Sequence, residues 1–89
     1  MIRQPYTAIR ELIWNNSITT FPEIILRISP DQLCRDADIA PSQLREWLHN
    51  IGNITLQEVK QLAEMLCIPE YRMMRIVIAT EKMQQALRN

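Results

Sequence analysis

Three side chains in this sequence could take part in nucleophilic or metal chemistry: Cys34, His49 and Cys67. A cysteine nucleophile needs a base beside it and a third group that orients the base, and no residue pattern supplies a third member for a His49–Cys34 pair. A zinc site needs more ligands than one histidine and two leucine-flanked cysteines provide. We therefore predict no enzyme activity, no metal site and no cofactor, and interpret both cysteines as small, buried, reduced hydrophobic residues.

The composition predicts one small globular domain over residues 1–89. Apolar residues make up 47% of the chain and charged residues 22%, which is ordinary for a globular protein. A single glycine among 89 residues argues against a hairpin-rich sandwich or barrel, because tight turns commonly use glycine. The apolar runs are too short to span a membrane, and no secretory signal opens the chain. We expect a cytoplasmic protein that does not associate with membranes.

The charges are balanced overall but unevenly distributed. Ten basic and ten acidic residues give a formal net charge of zero, which excludes capture of nucleic acid by bulk electrostatics. Residues 1–28 carry a net charge of +1, residues 29–69 carry −3, and residues 70–89 carry +2. The middle segment is therefore acidic, and any contact it makes with nucleic acid involves few cations.

The N-terminal segment, residues 1–28, contains one clear helical pattern and one ambiguous stretch. Residues 6–16 place apolar side chains on one face of an amphipathic helix. Residues 18–28 allow two interpretations. Thr20 and Glu23 form a capping-box pattern typical of a short helix, but the run of mostly β-branched residues that follows is equally typical of a strand. We favour the short helix because the surrounding sequence is helical.

Two helices separated by a short link are predicted in the middle segment. Ser29 is placed to cap the first, with Pro30 at its first position and Gln32 at its third, and the helix continues to about Ala37. The second begins near Pro41. Its apolar side chains recur at helical spacing: Leu44, Trp47 and Leu48. So brief a link requires the two helices to cross steeply.

Thr55 and Glu58 form a further capping box that opens another helix, and a last helix is predicted over residues 70–87. Ile39 is placed to fill the corner between the two helices of the middle segment. The fold class predicted is all-α, a small bundle of five to six helices with segments 1–28, 29–69 and 70–89. The predicted core includes Leu33, Ile39, Leu44, Trp47, Leu56, Val59, Leu62 and Leu66.

Residues 29–69 resemble the DNA-binding domain of phage repressors of the lambda repressor and Cro class. Two strings carry the resemblance: SPDQLCRDADIAPSQLREWLHN and GNITLQEVKQLAEMLCIP. The chain departs from the family pattern where Cys34 replaces alanine, Leu48 replaces glutamate, and Asp38 and Cys67 replace glycines. Aspartate tolerates the left-handed conformation better than most residues, so the turn can form. The family's first helix corresponds either to residues 6–16 or to residues 21–28.

The resemblance implies a repressor-like helix-turn-helix whose second helix enters the major groove. The residues implied at its start are Pro41, Ser42, Gln43, Arg45 and Glu46, with side chains that can contact bases or phosphate. The amide groups at Gln32 are implied to bind a phosphate. The loop that family members lay along the DNA backbone corresponds here to His49, Asn50, Asn53 and Thr55. The alternative interpretation is that these residues form only the solvated face of an amphipathic helix.

The last helix is apolar on more than one side, because Ile76, Val77, Ile78 and Ala79 are consecutive. One side can pack on the domain, and an exposed apolar patch usually indicates an interface. We predict a homodimer interface formed by Met73, Ile76, Val77, Met83 and Leu87. The alternative is that a long helix wraps a small core and buries both sides.

These patterns lead to two functional hypotheses. The first is a sequence-specific, repressor-like transcriptional regulator that binds double-stranded DNA as a homodimer. The second is a protein-interaction module that keeps the helix-turn-helix scaffold without affinity for DNA.

Overall fold

The computed structural model describes residues 6–88, and every regular element in that range is helical. The predicted all-α fold is confirmed, with six α-helices and one turn of 3-10 helix, Ile51–Asn53. The α-helices are α1 (Tyr6–Trp14), α2 (Phe21–Ile25), α3 (Pro30–Ala37), α4 (Pro41–His49), α5 (Leu56–Leu66) and α6 (Glu70–Arg88). Within the described range, none of these helices is long and apolar enough to cross a membrane.

Helix α1 buries one apolar face, as the sequence predicts. Tyr6, Ile9 and Ile13 are buried, and the helix ends at Trp14. Asn16 follows with φ 65°, a left-handed conformation that asparagine adopts more readily than most residues. The Tyr6 hydroxyl donates a hydrogen bond to a carboxylate oxygen of Asp36, which ties α1 to α3. Burial of the phenol and its bond to this carboxylate raise the pKa of Tyr6.

The stretch that could have been a strand is a short helix. Helix α2 follows Thr20, whose backbone N–H and hydroxyl both donate to the Glu23 carboxylate at 3.2 Å and 2.8 Å. The Thr20 hydroxyl has the largest effect among the groups that lower the pKa of Glu23. Phe21 and Ile24 are buried, so this five-residue helix is stabilised by packing as well as by its cap.

The ends of α3 and α5 depend on local backbone chemistry. At α5, Thr55 N–H donates to the Glu58 carboxylate at 2.8 Å, and Glu58 N–H donates to the Thr55 hydroxyl at 3.1 Å, so this capping box is confirmed. At α3, the predicted cap is only partly correct, because Ser29 precedes the helix but makes no side-chain cap hydrogen bond. Asp38 and Cys67 end α3 and α5 in the left-handed conformation, each with φ 57°. The prediction that both cysteines are buried is wrong for Cys67, which is exposed because it follows the last residue of α5.

One core joins all six helices. The indole of Trp47 is fully buried and meets the ring of Phe21 edge to face, with centroids 6.0 Å apart. Ile39 is half-buried and packs against the core from the corner between α3 and α4. The prediction for Leu56 is wrong: its side chain is 68% exposed, because it occupies the first position of α5, before the helix turns its apolar face inward.

Helix α6 packs its most apolar face against the rest of this chain. Met73, Ile76 and Val77 are buried in the core, which corrects their assignment to a dimer interface: surface already covered by the same chain is not available to a partner. Met83 is half-buried and Leu87 is exposed. The large apolar residues of α6 that remain exposed are Tyr71, Ile78 and Leu87.

Candidate nucleic-acid interface

Helices α3 and α4 form a compact helix-turn-helix unit. The link between them is residues 38–40, and the left-handed Asp38 reverses the chain. The N–H groups of Asp38 and Ile39 both donate to the carbonyl of Cys34, in the last turn of α3. The N–H groups of Gln43 and Leu44 then donate to the carbonyl of Ala40 at 3.0 Å and 3.1 Å. The turn is therefore closed on both sides by backbone hydrogen bonds, which fixes where α4 starts.

Helix α4 has one buried face and one exposed polar face. Leu44 and Trp47 are buried in the core. The predicted DNA-contacting residues Pro41, Ser42, Arg45 and Glu46 are exposed, and Gln43 is half-buried. The spacing of Leu44 and Trp47 causes this arrangement, because residues three apart lie on one face of a helix. The side chains of Ser42, Arg45 and Glu46 are therefore accessible to an external partner.

The other predicted contact residues lie at different places around this face. Gln32 is half-buried in the first turn of α3. His49 is exposed at the C-terminal end of α4, and Asn50 is half-buried directly after it. Asn53 is exposed, and its amide donates to the Glu46 carboxylate at 3.3 Å. The structure thus brings Asn53 to α4, while His49 and Asn50 lie at the end of α4 opposite Pro41.

Acidic groups border the helix-turn-helix unit. An open groove between α3 and the start of α4 is lined by Asp31 and Asp38 as well as Arg35 and Pro41. A second shallow groove on the α5 side is lined by Asp36, Asp38 and Glu64, among others. The exposed cation on α4 is Arg45. The negative charge counted in residues 29–69 therefore lies beside the exposed polar face of α4.

The geometry gives no support to the nucleophile pair considered from the sequence. Cys34 is buried, and that burial, followed by the charge of Asp31, raises the pKa of its thiol. A raised pKa disfavours the thiolate, which is the nucleophilic form. His49 lies at the far end of α4 from the α3–α4 turn that Cys34 anchors. Among residues 6–88, no group of three histidine, cysteine or acidic side chains is placed to hold a metal ion.

Helix α6 holds the C-terminal end of α4 in place through two side chains that were not among the predicted site residues. The Gln84 carboxamide accepts from Ile51 N–H at 2.8 Å and donates to the Trp47 carbonyl at 2.9 Å. The Arg88 guanidinium donates to the His49 carbonyl at 2.9 Å. The sequence contains one signal for these contacts: Thr80, Gln84 and Arg88 are spaced four residues apart and therefore lie on one face of α6. Thr80 and Gln84 are polar residues on a face that is otherwise apolar.

Buried Thr80 makes the equivalent contact with α2. Its hydroxyl accepts from Phe21 N–H at 2.8 Å and donates to the Ile76 carbonyl at 2.7 Å. Helix α6 thus satisfies backbone groups at the start of α2 and at the end of α4, so the position of α4 depends on α6. No protein-family model, curated protein or solved structure matches this chain.

Proposed function

We propose that this protein is a sequence-specific reader of double-stranded DNA, a small repressor-like transcriptional regulator without catalytic activity or a cofactor, acting in the cytoplasm. The observation that carries the proposal is the helix-turn-helix unit. A tight left-handed turn sets α4 against α3, and α4 buries Leu44 and Trp47 while exposing Ser42, Arg45 and Glu46. In helix-turn-helix proteins, the helix that enters the major groove is held against the core by its buried face and presents an accessible polar N-terminal half.

The exposed side chains of α4 have the chemistry that base reading requires. Arginine forms bidentate hydrogen bonds with guanine, glutamine does so with adenine, and glutamate accepts from cytosine. Arg45 is exposed and Gln43 is half-buried, so both can extend toward base edges. Ser42 can contact either a base or a phosphate. We assign sequence preference to Gln43 and Arg45, and positioning on the duplex to Ser42 and the first turn of α3 around Gln32.

The charge distribution favours a protein that binds DNA of arbitrary sequence only weakly. Neutralisation of phosphates supplies most non-specific affinity and makes binding salt-dependent. Asp31 and Asp38 border the α3–α4 groove, so few phosphates can be neutralised by each subunit. We therefore expect a shallow dependence of affinity on salt, with specificity carried by base contacts.

A homodimer completes the proposal, because two subunits double the base contacts that one short helix can make. The surface we assign to it differs from the one predicted from the sequence. Tyr71 and Ile78 lie seven residues apart on one face of α6 and are 60% and 46% exposed, with half-buried Met74 between them. Pairing of this face with its symmetry mate would cover apolar surface that otherwise contacts water.

The test is selection from a random duplex pool at low salt, followed by titration of the enriched sequence. Arg45→Ala should weaken binding to that sequence by about 1–3 kcal/mol and relax preference at one base pair. Arg27→Ala removes an exposed cation outside the helix-turn-helix unit and serves as the matched control, with little effect expected. A palindrome with half-sites about one helical turn apart would support a dimeric reader.

The acidic border of the unit favours a second candidate function, a protein-interaction module on the same scaffold. Carboxylates of Asp31, Asp36 and Asp38 lie on grooves beside α3 and would repel phosphate while attracting a basic protein surface. The same selection separates the two functions. If no sequence is enriched and no binding is measurable even at low ionic strength, the DNA reader is wrong and the interaction module replaces it.

A further inference from the structure

A cleft that the proposed DNA-binding surface does not use lies between the N-terminal half of α6 and the chain that follows α1. Its volume is about 150 Å³, a size that admits a molecule as large as benzene. Ile18 and Ile76 contribute to its apolar wall. Its polar lining comes from Asn16, Thr19, Arg72 and Arg75, so both of its charged residues are cationic.

Arg72 is held in this cleft with hydrogen-bonding capacity left over. Its guanidinium carbon lies 4.4 Å from the centroid of the Trp14 ring, a cation–π contact that fixes the plane of the group. One terminal nitrogen donates to the Asn16 side-chain oxygen at 3.4 Å, which is a long bond to a neutral acceptor. The Nε–H is buried without a hydrogen-bond partner among the described residues, and an unsatisfied buried donor is costly.

Arg75 places a second positive charge on the same cleft. It lies three residues after Arg72, so the two side chains emerge on neighbouring positions of one helix face, and it is exposed. Two like charges on neighbouring positions of a helix face repel each other, and an anion between them would relieve that repulsion. The carboxylate of Glu23 is close to Thr19, but it accepts hydrogen bonds from both Thr19 and Thr20 and does not line the cleft.

We propose that this cleft binds the oxyanion of a small ligand, a phosphate or carboxylate group. The two terminal nitrogens of an arginine can donate parallel hydrogen bonds to such a group, and Arg72 is already oriented by Trp14. Arg75 adds charge, while Asn16 and Thr19 provide polar groups at the rim. The apolar wall formed by Ile18 and Ile76 accommodates a few carbon atoms attached to the anion.

The cleft is separate from the surface assigned to DNA. Gln84 and Arg88, the α6 residues that contact the end of α4, follow Arg72 by 12 and 16 positions. At a rise of 1.5 Å per residue they lie roughly 18 and 24 Å farther along the helix. A ligand in the cleft therefore occupies a second site on the helix that supports α4, and its binding does not depend on the proposed function.

The experiment is a titration of the full chain with inorganic phosphate at constant ionic strength, followed by calorimetry and by the fluorescence of Trp14. Saturable binding at one site per chain is expected, with a change in emission that Trp14→Phe abolishes. Arg72→Lys keeps the charge but removes the fork, and should weaken binding about tenfold or more. Lys82→Gln, an exposed cation of α6 outside the cleft, is the matched control and should leave phosphate affinity unchanged.

Three further titrations identify the source of the anion. Tighter binding of a phosphomonoester than of inorganic phosphate supports a phosphorylated small ligand, and tighter binding of a short-chain carboxylate supports a carboxylate ligand. Competition between duplex DNA and phosphate would overturn the assignment, because the cleft would then contact the DNA backbone. Failure to saturate in the millimolar range, or equal affinity in folded wild type and Arg72→Lys protein, would also overturn it. Far-ultraviolet circular dichroism checks that each variant is folded.

Discussion

Two leucines of α5 should contribute differently to the free energy of unfolding, because one buries its side chain and the other does not. Leu62 is 1% exposed and Leu56 is 68% exposed. Leu62→Ala should reduce the free energy of unfolding by about 2–5 kcal/mol, because it removes buried methyl groups and leaves a cavity. Leu56→Ala should change it by less than about 0.5 kcal/mol. Denaturant melts measure both, and similar losses in the two variants would contradict the burial described for α5.

The carboxyl group of Glu23 makes the stability of the fold depend on pH. Hydrogen bonds from Thr20 and Thr19 lower the pKa of its carboxyl group in the folded chain from the ordinary 4.5. The stabilisation is therefore fully present above about pH 4.5 and is lost as pH falls through the lowered value. In thermal melts, the stability advantage of wild type over Glu23→Gln should narrow with acidification. An advantage that is constant across this range would show that the carboxylate is not stabilised in the fold.

At the scale of the element, α6 supports the fold through polar side chains as well as apolar ones. Gln84 satisfies two buried backbone groups, Ile51 N–H and the Trp47 carbonyl. Gln84→Met keeps the length of the side chain but leaves both groups unpaired, at a cost of about 1–3 kcal/mol for each. We expect a large loss of stability in denaturant melts and faster hydrogen exchange at the Ile51 amide.

The neighbouring residue is the control for this prediction. Gln85 is exposed, so Gln85→Met makes the same chemical change without removing a contact to α4. It should alter stability by less than about 0.5 kcal/mol. If both variants lose the same amount, the effect arises from methionine in α6 and not from the tie to α4.

At the scale of the whole molecule, a glutamate introduced on the exposed face of α6 should affect dimerisation, whereas one introduced on its buried face should affect folding. Light scattering should give twice the 10.5 kDa chain mass if the exposed face of α6 forms the proposed dimer. Ile78→Glu should then give a folded monomer, because Ile78 is half exposed, whereas Ile76→Glu should unfold the chain, because Ile76 is 3% exposed. Leu26→Glu, at an exposed apolar residue outside α6, should leave the dimer intact. A wild-type monomer at all concentrations would remove the dimer from the proposal.

The sequence by itself determined the features that depend on neighbours a few residues away. The capping box of Thr55 and Glu58 closes within four residues, and the left-handed turn at Asp38 follows from the backbone tolerance of aspartate. The helical periodicity of Leu44 and Trp47 sufficed to place both in the core. The short helix after Thr20 was favoured because the surrounding sequence is helical, and its capping box is also local. The DNA-contacting roles of Gln43 and Arg45 stay predictions, because exposure alone does not distinguish a reading face from a solvated one.

The tertiary structure alone decided the features that depend on contacts between distant segments. Thr80 reaches Phe21 across 59 positions, and Gln84 reaches Ile51 across 33. No local pattern specifies which side of an apolar helix such contacts will bury. That is why Met73, Ile76 and Val77 were wrongly assigned to a dimer interface. The error for Leu56 has a local cause instead, because Leu56 occupies the first position of α5. The cleft around Arg72 has the same origin, because it exists only where the end of α1 meets the start of α6, a juxtaposition that chain packing produces and helical periodicity does not encode.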